Sequence, residues 1–402
     1  MPYSPAAAVR PTIKRPSVAM LVAVAAVSPL GINVYLPSMP GMARSLGVDF
    51  STIQLTLSLY LAAVAIGQLV IGPLSDRFGR RPVLLSGLAL FVLGSLICLA
   101  APNVGVLLLG RAVQAVGGCA GITLSRAIVR DLYGREQAAS MIGYVTMGMA
   151  VAPMVAPTVG GVLEMLYGWR ATFVFLAAFG GLTLIVAARQ LPETNHNRGS
   201  GGSARQLLLG YACLARSRPF WGYTLTTAFS TAVFFAFIAG AAYVMIDLMG
   251  RSPVEYGFYF ATVSGGYILG NFLSGRFAAR VGPDRMILAG TIVILAAVAT
   301  MAAAFAAGLM HPAALFAPMT FVGLGNGLVI PSGVAGAVSI KPNVAGAAAG
   351  LSGSFQIGFG ALVAPVVGAL LGATAWPLIA VMTGCALLTL FSVALVADRR
   401  TA

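Results

Sequence analysis

Residues 72–84 read "GPLSDRFGRRPVL". Asp76 is the single acid of this stretch, set among Arg77, Arg80 and Arg81, with Gly72 and Gly79 on either side of it. Apolar runs flank the charges, over 53–74 before and 83–101 after. Each run is long enough to cross a ~30 Å hydrocarbon layer as a helix. The charged stretch is therefore a polar corner between two lipid-embedded helices. Similar runs recur along the chain, at 18–37, 104–126, 138–163, 170–189, 219–247, 255–275, 285–308, 312–334, 344–371 and 375–397. The 402 residues are 59% hydrophobic and 8% charged, with mean hydropathy +0.93. A soluble domain carries about 25% charged residues. The pattern predicts an all-α membrane protein with twelve transmembrane helices, both termini on one side.

A net charge of +14 raises the question of nucleic acid, and its distribution answers it. If the N-terminus is cytoplasmic, every Lys and Arg except Arg44, Arg111, Arg170 and Arg251 falls on a cytoplasmic segment. That is the positive-inside asymmetry of inner-membrane proteins, so the basic balance reports orientation and no nucleic-acid partner is expected. Cys98, Cys119, Cys213 and Cys385 are scattered, and His196 and His311 stand alone in loops. These spacings suit free thiols and no metal site. The basic N-terminus before an apolar run resembles a secretory signal, but eleven further spans favour a first transmembrane helix.

The longest polar interruption, 190–218, contains "PETNHNRGSGGSAR" and suits a flexible cytoplasmic linker. It divides the chain into a cytoplasmic segment 1–17, a six-helix bundle 18–189, the linker, a second bundle 219–397 and a cytoplasmic tail 398–402. The bundles repeat one another. "GPLSDRFG" at 72–79 aligns with "GRFAARVG" at 275–282, and "VAPTVG" at 155–160 with "VAPVVG" at 363–368. Duplicated halves of this kind place the substrate at their interface, near mid-membrane.

The motifs resemble those of a known family. The 72–84 stretch is similar to the loop signature of the major facilitator superfamily. "RAVQAVGG" at 111–118 resembles the fourth-span signature of its drug:proton antiporters, and "APMVAPTVGG" at 152–161 the fifth-span antiporter motif. With "YLPSMP" at 35–40 and "GWRATF" at 168–173, the chain resembles Bcr/CflA-type exporters, which include bicyclomycin and chloramphenicol/florfenicol resistance proteins. The resemblance implies two pseudo-symmetric six-helix bundles in the major facilitator fold. It also implies export of small amphipathic drugs by alternating access, in exchange for protons. The expected partners are drug, proton and lipid; the expected chain is a monomer with no cofactor, the proton gradient supplying the energy. The chain carries no G-x-x-x-x-G-K-[ST] for ATP.

Residue roles follow from the same resemblance. Gly72, Asp76, Arg77, Gly79 and Arg80 would form a cytoplasmic latch, with Asp76 pairing to Arg126 or Arg130 of the fourth span. Ala279 stands where the second half would need its acid, so a matching latch there is weak or absent. Pro153, Pro157, Gly160 and Gly161 interrupt and thin one helix, favouring a hinge between the halves. Arg111 lies within its span, where a charge is costly and functional by default; the resemblance turns it toward a central cavity, with Gln114 beside it. A reading without function has Arg111 reach for the outer interface. The remaining cavity candidates are Tyr35, Tyr60, Phe234, Phe235, Phe237, Gln54, Gln68, Asn271, Asn326 and Gln356, though most aromatic residues of such spans simply pack.

Asn33 is the departure. The resembled proteins usually carry an acid there, and an amide cannot titrate. None of the ten acids falls convincingly at mid-membrane. The chain is a variant coupled through Glu164 or another group, a weakly coupled facilitator, or a form in which Asn replaces Asp by design. Asn33 then contacts substrate or bonds a neighbouring helix. An uncharged substrate such as a phenicol suits the site better than a multivalent cation. The competing readings are a metabolite or sugar-type exporter of the same fold, and a receptor or scaffold that no longer transports.

Overall fold

The computed structural model describes residues 16–133, 135–195, 211–341 and 344–397. Twelve long helices carry the fold: α1 (Val18–Asn33), α2 (Phe50–Phe78), α3 (Arg80–Leu99), α4 (Val104–Leu132), α5 (Arg135–Tyr167), α6 (Arg170–Gln190), α7 (Arg218–Tyr243), α8 (Pro253–Val281), α9 (Pro283–Ala306), α10 (Pro312–Ser339), α11 (Ala345–Leu370) and α12 (Trp376–Ala397). The first span continues past α1 through a 3₁₀ turn, Leu36–Ser38, into a short helix, Met39–Leu46. Pro37 and Pro40, which cannot donate to a helical ladder, sit at this break.

Among the described residues, ten segments are long and apolar enough to span a membrane. Of the other two long helices, α5 carries the apolar stretch Val151–Tyr167, and α8 packs against it, so part of their surface meets protein instead of lipid. Most of the expected linker, residues 196–210, lies outside the described residues, as do most of the N-terminal segment and the tail 398–402.

Local signals set the helix ends. Asn103 caps α4, Ser252 and Glu255 form a capping box on α8, and His311 caps α10 through Nδ1. The aligned glycines Gly79 and Gly282 occupy equivalent corners, α2–α3 and α8–α9, at φ of 103° and 89°. An L side chain is strained there, which explains why both copies of the motif carry glycine.

The repeat extends to packing. α1 packs on α4, α5 and α6; α7 packs on α10, α11 and α12. α4 packs on α2 and α3, and α10 on α8 and α9. Two seams join the bundles, α2 with α11 and its counterpart α8 with α5. Every one of these contacts recurs six helices later.

The seams are tight at one end only. We term the end where α1 begins and α12 ends basal, and the other distal. Distally, a Cβ on Gly161 would lie 2.7 Å from the Pro253 carbonyl carbon, one on Gly257 2.8 Å from that of Pro157, and one on Gly368 2.8 Å from Gln54 Cγ. Along α2 the seam continues through Ala65, beside Gly358, to Gln68, whose Oε1 a Cβ on Gly353 would meet at 2.6 Å. Gly72, one turn further on the same face, meets nothing within 4 Å; neither does Gly275 on α8. Among the described residues the bundles touch distally and part basally, leaving a cleft open at the basal end.

Candidate functional site

Arg111 is wholly enclosed in the first bundle. Its Nη1 donates to the Gly31 carbonyl at 2.9 Å and to Gln114 Oε1 at 2.5 Å. The guanidinium lies between two rings, 4.1 Å from the Tyr35 centroid and 4.3 Å from that of Tyr60. Desolvated cation–π contacts contribute about 2 kcal/mol or more each. Gln114 Nε2 donates to Ser95 Oγ at 2.7 Å, and the Tyr60 hydroxyl donates to Ser28 Oγ at 3.1 Å. Gly31 and Gly118 make room, since a Cβ on either would lie 2.8 Å from the Tyr60 oxygen. Arg111 Nε and Nη2 have no hydrogen-bond partner. The side chain thus points into the bundle, between α1, α2 and α3, and not into the cleft, because two ring faces and a backbone carbonyl solvate it there.

Asn33 ends α1. Its Nδ2 donates to the Pro29 carbonyl at 2.8 Å, one turn back, while Oδ1 is enclosed without a partner. It bonds its own helix, not a neighbouring one, and is 4% exposed.

The basal corner corrects the expected latch. Asp76 pairs with Arg80, at 2.5 Å, and not with Arg126 or Arg130. Arg80 Nε in turn reaches Asp131 of α4 at 2.9 Å, so arginine is the bridging group and the α4 partner is the acid beside Arg130. Arg80 bends back because Gly79 turns the chain between it and Asp76. Arg77 stacks on Phe78, 5.3 Å from the ring centroid.

Residues 193–195, read from sequence as linker, complete this corner. Glu193 accepts from the backbone N–H of Arg80 at 2.9 Å and of Arg81 at 3.3 Å. Gly79 offers α3 no side-chain cap, and a carboxylate from 113 residues away takes that place. Asn195 Nδ2 donates to the Asp76 carbonyl at 2.9 Å, and Thr194 Oγ1 to Asp131 Oδ2 at 3.2 Å. One short segment therefore satisfies the end of α2, the start of α3 and the acid of α4.

At the distal end, among the described residues, the bundles share one ion pair, Arg44 Nη1 with Asp247 Oδ1 at 2.8 Å. Beside it Glu164 lies against Gly41, where a Cβ would meet the Glu164 carboxyl carbon at 3.2 Å, and its Oε2 is enclosed without a partner. The fifth-span motif sits in this region. Gly160 packs on Val34, Gly161 on Pro253, and Pro153 and Pro157 lie within α5.

The other candidates scatter. Phe235 packs over Gly360, where a Cβ would meet its ring at 2.9 Å, and Phe234 touches Phe235 and Phe260 at 6.0 and 6.2 Å. Phe237 is buried against Phe316, 5.3 Å away. Asn271 Nδ2 donates to Tyr267 of its own helix at 2.8 Å, and Asn326 accepts from Ser230. Gln54, and Nε2 of Gln356, are enclosed without partners near the α2–α11 seam. Sequence reading missed an aromatic ladder on the cleft side of α7 and α11. Trp221 meets Phe355 at 4.9 Å, Phe355 meets Phe359 at 6.3 Å, and Phe359 meets Phe229 at 4.7 Å. The i, i+4, i+8 spacing of Trp221, Leu225 and Phe229 was its available signal.

Comparison with known proteins places this geometry. Residues 21–250 match the family described as the Major Facilitator Superfamily. A chloramphenicol resistance protein of Pseudomonas aeruginosa is 37% identical over 78% of this chain and 72% of its own length. Multidrug resistance protein D of Escherichia coli is 31% identical over 85% of this chain and 86% of its own, and a bicyclomycin resistance protein homolog of Haemophilus influenzae 29% over 90% and 92%. Among solved structures, peptide transporter POT in complex with sulfate superposes with a TM-score of 0.78 at 17% identity, covering 97% of this chain and 96% of that one. An inward-facing bacterial homolog of the human lysosomal transporter Spinster gives 0.69 at 17% identity, over 94% and 95%. At such identities the structures establish the fold alone.

Proposed function

The chain belongs to the major facilitator superfamily, in its Bcr/CflA-type branch, and from this premise we propose that it exports small amphipathic drugs of phenicol or bicyclomycin type in exchange for protons. The observation that carries the reading is the one-ended cleft between two six-helix groups, tight at Gly161, Gly257 and Gly368 and open at Gly72 and Gly275. Alternating access needs such a pocket, reachable from one side at a time. The basal end collects Arg77, Arg80, Arg81, Arg130, Arg276 and Arg280, so by the positive-inside rule it faces the cytoplasm. The cleft is then inward-open, ready to load drug from the cell interior.

Asn33 cannot carry the proton, and Glu164 is the acid best disposed to do so. Its Oε2 is enclosed and unpartnered while the distal end is closed, an environment that disfavours charge. Opening that end would hydrate it and let it ionise. Arg44, already paired with Asp247, is its charged neighbour.

The test is uptake of labelled chloramphenicol into proteoliposomes with an imposed proton gradient. Accumulation that a protonophore abolishes supports exchange with protons. Equilibration unaffected by the protonophore would mean an uncoupled facilitator, and no flux at all would overturn the transport reading.

A further inference from the structure

The cleft carries a charge that the latch does not use. Arg126 of α4 has an exposed side chain. Its electrostatic neighbour is Tyr267 of α8, in the other bundle. Among the described residues no carboxylate pairs with it. Asp76 and Asp131 are held by Arg80, Asp247 by Arg44, Glu193 by the start of α3 and Glu255 by its capping box, and Asp284 accepts from the Tyr223 hydroxyl at 2.7 Å.

Aromatic faces stand at the same depth on the other bundle. On α7 the stripe of Trp221, Leu225 and Phe229 is half-exposed: Trp221 and Phe229 meet Phe355 and Phe359 of α11 along one edge, and the rest of the stripe stays open. The Trp221 indole N–H donates to the Ala215 carbonyl at 2.8 Å, so its polar edge is satisfied, and the half-exposed remainder of the side chain offers apolar surface. At 1.5 Å per residue, Trp221 lies about 5 Å and Phe229 about 16 Å from the basal end of α7, while Arg126 lies about 9 Å from the basal end of α4. The guanidinium therefore falls between the first and last rings of the ladder in depth.

We infer that this cleft admits aromatic compounds that are neutral or anionic and rejects aromatic cations, Arg126 setting the charge preference and the α7–α11 rings giving the stacking surface. A guanidinium in a space partly screened from water attracts an anion more strongly than it would in bulk solvent. It offers donors to a nitro group, carboxylate or phenolate, and opposes a second cation in the same volume. The rings accept any flat substituent and supply no charge selection of their own. The inference takes its setting from the transport reading above, but binding can test it without any flux.

The experiment uses the full chain in lipid nanodiscs, titrated calorimetrically at pH 7 with chloramphenicol, salicylate and tetraphenylphosphonium as neutral, anionic and cationic aromatic probes. The wild type is expected to bind the first two, and the cation at least tenfold more weakly. Arg126→Ala should lose at least tenfold for salicylate with a smaller loss for chloramphenicol, Arg126→Lys should keep the wild-type order, and Arg126→Glu should reverse it. Phe229→Leu should weaken all three probes alike. Equal affinity of the wild type for salicylate and tetraphenylphosphonium, binding of none of the probes, or an unchanged order in Arg126→Ala would each overturn the inference. Should Arg126→Glu fail to fold, Arg126→Ala and Arg126→Lys still decide it. A charge order that follows residue 126 in a protein showing no drug flux would remove the transport reading and leave this one standing; normal flux with an order indifferent to residue 126 would do the opposite.

Discussion

Replacing Gly161 with alanine should open the distal end. The new methyl would sit 2.7 Å from the Pro253 carbonyl carbon and 3.0 Å from Val254 Cα, inside ordinary contact, and both obstacles are backbone. No rotamer change relieves them, so α5 and α8 must separate. Overpacking of this kind costs about 1–3 kcal/mol, which corresponds to roughly 5- to 150-fold in the ratio of distal-closed to distal-open molecules. That penalty applies only while the two bundles touch distally. Gly160→Ala is the matched control: its methyl would meet Val34, with the carbonyl carbon 2.8 Å away, a contact inside the first bundle that persists in both states. The assay is a distance measurement by double electron–electron resonance between spin labels at Pro102→Cys and Leu309→Cys, which are exposed on distal loops of the two bundles, in a Cys213→Ser background. Gly161→Ala should enrich the long-distance population, while Gly160→Ala should lower thermal stability with the distribution unchanged. Identical distributions in both variants would refute the one-ended seam.

Two further outcomes follow from named contacts. Glu193→Ala removes the cap of α3, a loss of about 1 kcal/mol, and should speed amide exchange at Arg80 and Arg81 roughly fivefold in hydrogen-exchange mass spectrometry, leaving the distal half of α3 unaffected. Tyr60→Phe keeps the ring face over Arg111 and loses only the bond to Ser28, whereas Tyr60→Leu loses the face as well; in detergent the leucine variant should be less stable than the phenylalanine one by about 2 kcal/mol, and equal melting would mean that the ring contributes nothing to solvating the guanidinium.

Much of the architecture was legible because lipid imposes a length and a composition on each helix, and the repeated glycines marked equivalent corners. The helix ends were less so. α2 continues to Phe78, beyond the apolar run that ends at residue 74, since a helix can outrun the hydrocarbon and carry its charges into the corner. Side-chain partners were the least legible. Asp76 and Arg80 are four apart across a glycine break, a spacing that predicts a pair only on an unbroken helix. Glu193 finds its donors across more than a hundred residues, and its neighbours "NHNRGSGGS" speak only of a linker. The direction of Arg111 depends on how α4 is rotated, which glycine-lined packing sets and no local pattern records.

Asn33 and Arg111 are two ends of one electrostatic fact. The turn of α1 from Pro29 to Tyr35 supplies the carbonyl of Gly31 to Arg111, the ring of Tyr35 over it, and Asn33 between them. An acid at residue 33 would put a counter-charge on the very turn that wraps the guanidinium. With an amide the positive charge stays unbalanced, and Arg111 Nε, Arg111 Nη2 and Asn33 Oδ1 are all left without partners. Burying a lone charge costs several kcal/mol, and ring faces and carbonyls recover only part of it. The first bundle therefore holds a fixed positive charge that no proton movement at residue 33 can cancel. Under the proton exchange proposed above, coupling would act through acids elsewhere, and Glu164, enclosed at the distal closure and within the field of Arg44, is the acid that proposal assigns.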